Sequence, residues 1–499
     1  MSVDAWSSLK RRMEELAELQ GVLATLSWDQ ETQMPPKGAA ARAAQTGRLA
    51  RLRHERFTDP DVGRWLAEIA ALPTKSPDQE AALRNIGRDY RKATKVPADL
   101  VAALSEGAAH GFQAWLAARK ANDFEVFRES LEHLVSLRRQ ICEVIDPNAH
   151  PYELLLQEFD PGTSVVELRQ LFARLTGGLR ELIEAIDGVE PLPSFGDRFP
   201  VQGQREAFRR VAEAMGYDLT AGRIDISEHP FTTSLGPGDT RITIRVFEDD
   251  LLGGLGPTVH EAGHALYEQG LPWDKVGSSV GQAAGMGLHE SQSRLWENFI
   301  GRSAPFMRWF GNEMESVFAG RSVDADALFR AANRVAPTLT RVEADEVTYN
   351  LHVGIRFELE LALLEGTLEV RDLPAAWNDS YEKVLGIRPP DDLTGVLQDV
   401  HWSHGMFGYF PSYTLGNLYA ASMGATLEEH IPTLWQDVER GDFGNVLSWL
   451  REHVHSRGHV HDAPRLVADA VGERDHVEDL LSYLWSRHGL LHGVTRPLS

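Results

Sequence analysis

Leu9, Met13, Leu16, Leu19, Leu23 and Leu26 recur at steps of three and four among charged residues, the spacing of one apolar helix face, until Pro35-Pro36 ends the run. From about 39 to 187 the helical period continues in alanine, leucine, arginine and glutamate, with breaks at Asp59-Pro60, Pro73, Pro97, Asp146-Pro147 and Pro161-Gly162. This predicts a mostly helical lobe whose mixed charges are solvated helix faces. The proline-rich stretch 188–196 is the best place for a linker.

The period then changes. Residues 223–227 and 240–246 alternate apolar and polar positions, so they read as two strands, paired antiparallel, with 228–239 as the loop between them. Helical spacing returns over 256–270, where Val259, Ala262, Leu266 and Tyr267 form an apolar face. Gly256-Pro257-Thr258 supplies its start and Gly270 with Pro272 its stop. Amphipathic runs follow at 285–300 and, opened by Val335-Ala-Pro337, through 341–350. Residues 355–366 alternate with a period near two, yet their leucine, alanine and glutamate content favours a helix. Between Gln398 and Asn417, aromatics, histidines and glycines crowd together, including His401 and Tyr413, a composition suited to a substrate cleft.

At 499 residues the length alone would allow several domains, but the candidate site residues run from His229 to Tyr413 and must converge. A single unit over 1–499 is therefore expected, with a helical lobe at about 1–187, a catalytic region at about 200–430 and a C-terminal helical region at about 431–499. A net charge of -23 argues against nucleic acid and anionic membrane surfaces as partners. Cys142 is the single cysteine, which rules out an intrachain disulfide framework. The N-terminal residues lack a long apolar region and no stretch of about 18 apolar residues occurs, so the cytoplasm is the expected location.

Chemistry enters at His260-Glu261-x-x-His264, the zinc-binding signature of metallopeptidases. One helical turn apart, the two imidazoles can converge on one ion, while Glu261 points to one side, where a general base for hydrolysis must sit. Gly263 costs about 1 kcal/mol against alanine inside a helix, which suggests that another backbone or a ligand packs closely there. A hydrolytic zinc site needs a third protein ligand and an open position. The run 285–300 offers Glu290 and Glu297, seven apart and facing similar ways, with His289 facing elsewhere; spacing does not choose between the glutamates. His229 in the loop, with Asp239 and Arg241 beside the second strand, reads equally as substrate contacts at a sheet edge or as a turn histidine and a local ion pair. His453-Val-His455-Ser-Arg-Gly-His459-Val-His461 looks like a metal tract, although its charged flanks favour an exposed helix end.

The sequence resembles the M32 metallocarboxypeptidases over most of its length. The resemblance rests on His229-Pro-Phe231, Asp239-x-Arg241-x-Thr243, His260-Glu-x-x-His264, His289-Glu290-Ser-Gln, Arg341-x-x-Ala344-Asp345 and Gly395-x-x-Gln398-Asp399-x-His401-Trp402, in the family's order. Trp28-Asp29 and its neighbours also resemble a family segment, though physically they read as a helix end and turn. One departure is Thr340, where the family usually has isoleucine or valine. The resemblance implies a large, mostly α-helical fold with a deep cleft and a small antiparallel β-sheet at its edge. It implies His260, His264 and Glu290 as ligands of Zn2+, with Co2+ or Mn2+ as possible substitutes, and Glu261 as general base. It also implies Arg341, helped by Tyr413, as the residue that recognises the free terminal carboxylate, and a homodimer. Asp345, four residues on, could orient the Arg341 guanidinium on a helix, or the two could form a surface pair.

The leading expectation is a zinc carboxypeptidase acting on peptides. An endopeptidase or oligopeptidase with the same metal helix would differ by tolerating a blocked C-terminus. A noncatalytic scaffold would need a closed four-ligand site, for which the lone Cys142 is poorly placed in the sequence.

Overall fold

A computed structural model describes residues 4–497; the first three and last two residues, at the ends of the unit expected over 1–499, lie outside the described residues. The opening leucine pattern forms the helix Ala5–Thr32, whose start is capped by the Asp4 side chain accepting from the Ser7 N–H. Leu9 joins Val62, Leu66, Ile69, Ala82 and Ile86 in a small core of their own. Residues from Ala118 and Phe124 onward instead belong to the main core, which runs on to Trp485. At its far end the first helix meets the sheet, where the Trp28 ring lies 5.0 Å from the Arg223 guanidinium and 4.4 Å from that of Arg241. Gly21 lets the helix backbone ride on the Leu235 carbonyl, which would sit 2.2 Å from any Cβ at that position.

The sheet differs from the antiparallel pair expected. It has three strands, β1 (Gly222–Ile226), β2 (Phe231–Gly236) and β3 (Asp239–Ile244), in the order β1-β3-β2. β3 runs parallel to β1 and antiparallel to β2. The reason lies in the stretch read as loop: it extends as β2 and turns back through Gly236 and Gly238, both at positive φ (146° and 81°), so β3 returns in the direction of β1.

The helix Leu251–Glu268 begins earlier than Gly256-Pro257 suggested. Asp250 caps it by accepting from the Gly253 N–H, and Pro257 falls inside the helix. The helix Met286–Arg294 follows, then widens into a π-helical turn over Leu295–Ile300, closed by the Gly301 N–H on the Trp296 carbonyl at 2.7 Å. The period-two stretch is indeed helical, as part of Tyr349–Glu365. The helix expected through 341–350 is not continuous: Arg341–Glu343 is a single tight turn and helix resumes only at Tyr349. Asp345 accounts for the break, because its carboxylate accepts from the Val347 and Thr348 N–H groups and the Thr348 hydroxyl, a side-chain turn that competes with helix.

Pro411–His430 is buried on nearly all sides, as a helix without a polar face must be. Glu360, fully buried, ties the stretch before it to Tyr349–Glu365: its carboxylate accepts from Tyr152 Oη and Trp402 Nε1, each at 2.8 Å, and from the Gly408 N–H at 3.0 Å. The histidine tract near the C-terminus disperses rather than converges. His455 is buried against Gln292, His459 faces Asp462, and the His453 ring packs on Trp449. Among the described residues no helix is long and apolar enough to cross a membrane.

What positions the site is a set of close helix crossings. A Cβ on Gly263 would lie 2.7 Å from the Gln292 carbonyl oxygen and 2.8 Å from Ser293 Cα, the close backbone approach that a glycine inside this helix suggested. A Cβ on Gly416 would lie 2.4 Å from Glu290 Cγ. Helix propensity alone makes Gly263→Ala stabilising by about 1 kcal/mol. The crossing reverses the sign, since overpacking of this kind costs about 1–3 kcal/mol. Thermal and denaturant unfolding of Gly263→Ala should therefore give lower stability than the parent chain; equal or higher stability would mean that the two helices do not meet this closely.

Candidate metal centre and active site

His260 and His264 stand one turn apart on Leu251–Glu268, their rings 4.8 Å apart and nearly perpendicular. Glu290 reaches them from the crossing helix: its Oε2 lies 3.4 Å from His264 Nε2 and 3.8 Å from His260 Nε2. One donor atom from each residue falls within 4.8 Å of the others. Donors about 3.4 Å apart form the edge of a tetrahedron with bonds of about 2.1 Å, so two imidazoles and a carboxylate at these separations fit a divalent ion.

Glu297, which spacing did not separate from Glu290, takes a different place. Its Oε2 is 2.8 Å from His260 Nδ1, the ring nitrogen turned away from the other donors. It also accepts from Arg294 Nη1 at 3.2 Å and Arg302 Nη2 at 3.3 Å. Arg294 Nε donates to Glu290 Oε1 at 2.7 Å, so one guanidinium holds both carboxylates. Burial by itself would raise the pKa of each; Arg294 and the facing histidines more than reverse it and keep both below the usual carboxylate range. The π-helical turn makes this possible, since Glu297 lies within it.

Glu261 has no cation at hydrogen-bond distance. It is 7% exposed, its Oε2 accepts from Thr232 Oγ1 at 2.7 Å, and burial raises its pKa. Thr232 lies on β2, so the strand read as loop delivers a direct neighbour of Glu261 that the sequence reading missed. The aromatic and β-branched residues of Phe231-Thr-Thr were the available signal, hidden by the turn residues around them.

His289 also has a place that its spacing did not reveal. Its Nδ1 is 2.7 Å from His264 Nδ1 and its Nε2 is 2.9 Å from Glu268 Oε1.

Arg341, Tyr413 and His401 come together in a second cluster. The Arg341 guanidinium lies 4.7 Å from the centre of the Tyr413 ring, and His401 Nε2 is 3.2 Å from Tyr413 Oη. Burial pushes the His401 pKa down to about 4, so its ring is neutral near neutral pH. Asp345 does not orient Arg341, because the turn at 341–343 breaks the helical spacing that the contact needed. Asp399 does so instead, accepting from Arg341 Nε at 3.1 Å and Nη2 at 2.9 Å and, through its other oxygen, from Arg356 Nε at 2.6 Å. Arg341 Nη1 donates to Tyr349 Oη at 3.1 Å, and the Tyr349 ring carries Arg294 4.5 Å from its centre, so this tyrosine stands between the two clusters.

The remaining candidates lie outside both clusters. Asp239 and Arg241 form a two-pronged ion pair at 2.7 and 2.8 Å, with the guanidinium stacked on Trp28, which matches the local-pair reading. His229 is exposed, and its carbonyl accepts the Ser227 hydroxyl.

Known proteins of one family resemble this chain over nearly its whole length. Residues 8–488 match the model of the carboxypeptidase Taq (M32) metallopeptidases. Thermostable carboxypeptidase 1 of Thermus thermophilus is 41% identical, with 98% of this chain and 99% of that protein covered. Carboxypeptidase 1 of Bacillus subtilis is 35% identical over 96% of this chain and 97% of its own. The crystal structure of an M32 carboxypeptidase from Deinococcus radiodurans superposes with a TM-score of 0.94 at 39% identity, covering 98% of this chain and 100% of that one. With the match spanning nearly every described element, from the first helix to the last, the chain belongs to the carboxypeptidase Taq (M32) family of metallopeptidases.

Proposed function

We infer that the protein is a zinc carboxypeptidase that releases C-terminal residues from peptides, with His260, His264 and Glu290 holding the ion. When bound, the ion supplies Lewis acidity, which acidifies water and polarises the scissile carbonyl. The rest falls to the chain's own side chains. Glu261 takes the proton from the attacking water and passes it to the leaving amine; its raised pKa and its lack of a cationic partner suit a group that must both accept and release a proton near neutral pH. Thr232 fixes which way the Glu261 carboxylate faces.

The exopeptidase reading is carried by the charge imbalance of the second cluster. Arg341 and Arg356 are 6% and 0% exposed and share one carboxylate, Asp399, so two buried positive charges face one negative. A free terminal carboxylate would neutralise the remainder, and a guanidinium edge is shaped to donate to its two oxygens. Cobalt or manganese would be accommodated by the same donors with different affinity.

Three outcomes follow. Glu261→Gln should keep its metal while turnover falls by about 10²–10⁴-fold, because an amide cannot accept the proton; turnover within about tenfold of the parent would remove Glu261 as the base. Metal affinity should fall about 10- to 100-fold in Glu297→Ala, which loses only the support of His260, and further in Glu290→Ala, which loses a donor. The reverse order, read by chelator competition, would exchange the two roles. Finally, Arg341→Ala should lower kcat/KM on a free-acid peptide by about 30- to 1000-fold, whereas the same peptide with an amidated C-terminus should be a poor substrate for both forms. Equal cleavage of acid and amide peptides by the unmodified enzyme, at internal bonds, would instead favour an endopeptidase.

A further inference from the structure

We propose that His289 and Glu268 act as positioning residues that set the tautomer of His264, and so decide whether its Nε2 carries a lone pair or a proton toward the ion. This rests on the reading above that His264 is a ligand. The starting observation is the approach of two imidazole nitrogens, His264 Nδ1 and His289 Nδ1, to 2.7 Å. At that distance one of them bears a proton and the other accepts it. The choice is made on the far side of His289, where its Nε2 lies 2.9 Å from Glu268 Oε1. An ionised carboxylate only accepts, so Nε2 holds the His289 proton and its Nδ1 is left as a bare acceptor. His264 must then donate from Nδ1. Its Nε2, 3.4 Å from Glu290 Oε2, is a free lone pair facing the other donors.

The local sequence explains how the chain of three groups is built. Glu268 is four residues after His264 on the same helix, and His289 immediately precedes Glu290 on the crossing one. The close crossing at Gly263 thus brings His289 under His264 as it brings Glu290 in front of it. The side chains of His289 and Glu268 are 16% and 19% exposed, shielded enough for the bonds to hold one arrangement. His260 receives the equivalent support from Glu297 directly, at 2.8 Å. With His264 the support has one imidazole interposed.

The test is zinc affinity by chelator competition on the full-length enzyme, together with thermal unfolding of the metal-free form. His289→Phe should bind zinc about 10- to 100-fold more weakly, the range for loss of such outer support, with metal-free stability little changed. His289→Asn, whose Oδ1 can take the place of Nδ1 as acceptor, should recover affinity to within about fivefold of the parent. A purely packing role predicts no such recovery. Affinity of His289→Phe within about twofold of the parent, or His289→Asn as weak as His289→Phe, overturns the proposal. Should His289→Phe fail to fold, Glu268→Ala decides: about tenfold weaker zinc binding supports the tautomer role, and unchanged binding rejects it. His264→Ala separates this from the underlying reading, since zinc affinity that survives its loss would show that His264 is no ligand at all.

Discussion

The candidate metal centre depends on two helices that touch backbone to backbone. Donor atoms from Leu251–Glu268 and Met286–Arg294 can stand 3.4 and 3.8 Å apart only if the helix axes are closer than ordinary side chains allow. Gly263 removes the side chain at the crossing, and Gly416 does the same where a third helix presses Glu290 from behind. A helix that must also bury its whole circumference, Pro411–His430, is thereby turned into the wall against which Glu290 is held. Packing and ligand geometry are one constraint here, because any residue that loosens the crossing also withdraws the carboxylate.

The same crowding gathers three glutamates in a small buried volume, where like charges would ordinarily force protons onto some of them. Arg294 divides their work. It bonds Glu290 and Glu297 and holds both ionised, one beside His264 and one behind His260, while Glu261 receives only a threonine hydroxyl and its pKa rises. The second cluster has the opposite imbalance, two arginines on one aspartate. Tyr349 spans the distance between them, with Arg294 over its ring and Arg341 on its hydroxyl, so the spacing between the two clusters is fixed by one rigid side chain.

Some expectations failed where a local rule met a tertiary competitor. The antiparallel pair became a mixed sheet because a run rich in glycine, proline and threonine was read as loop, yet pairing with β3 supplied the hydrogen bonds that its own composition did not promise. The contact expected between Arg341 and Asp345 assumed a continuous helix, and Asp345 itself ended that helix by bonding the backbone ahead of Tyr349. The helix start expected at Gly256-Pro257 was displaced because the Asp250 side chain caps the chain about one and a half turns earlier.

The sequence by itself determined whatever depends on near neighbours along the chain. His260 and His264 share a helix face because four residues make about one turn, Gly263 announced a close approach because an unforced glycine is costly there, and the ordered motifs pointed to the family that the comparisons found. Which glutamate stands against the Nε2 atoms of both histidines and which braces His260 was decided only by tertiary structure, since a seven-residue spacing suits either one and the two differ in what the crossing helix offers them. The same holds for Asp399 beneath Arg341, for Thr232 on Glu261 and for His289 on His264, which lie 58, 29 and 25 positions apart in sequence. No periodicity extends over such distances. Contacts of that kind are fixed by how whole elements pack, and packing is set by the shape and burial of surfaces that a linear pattern does not contain.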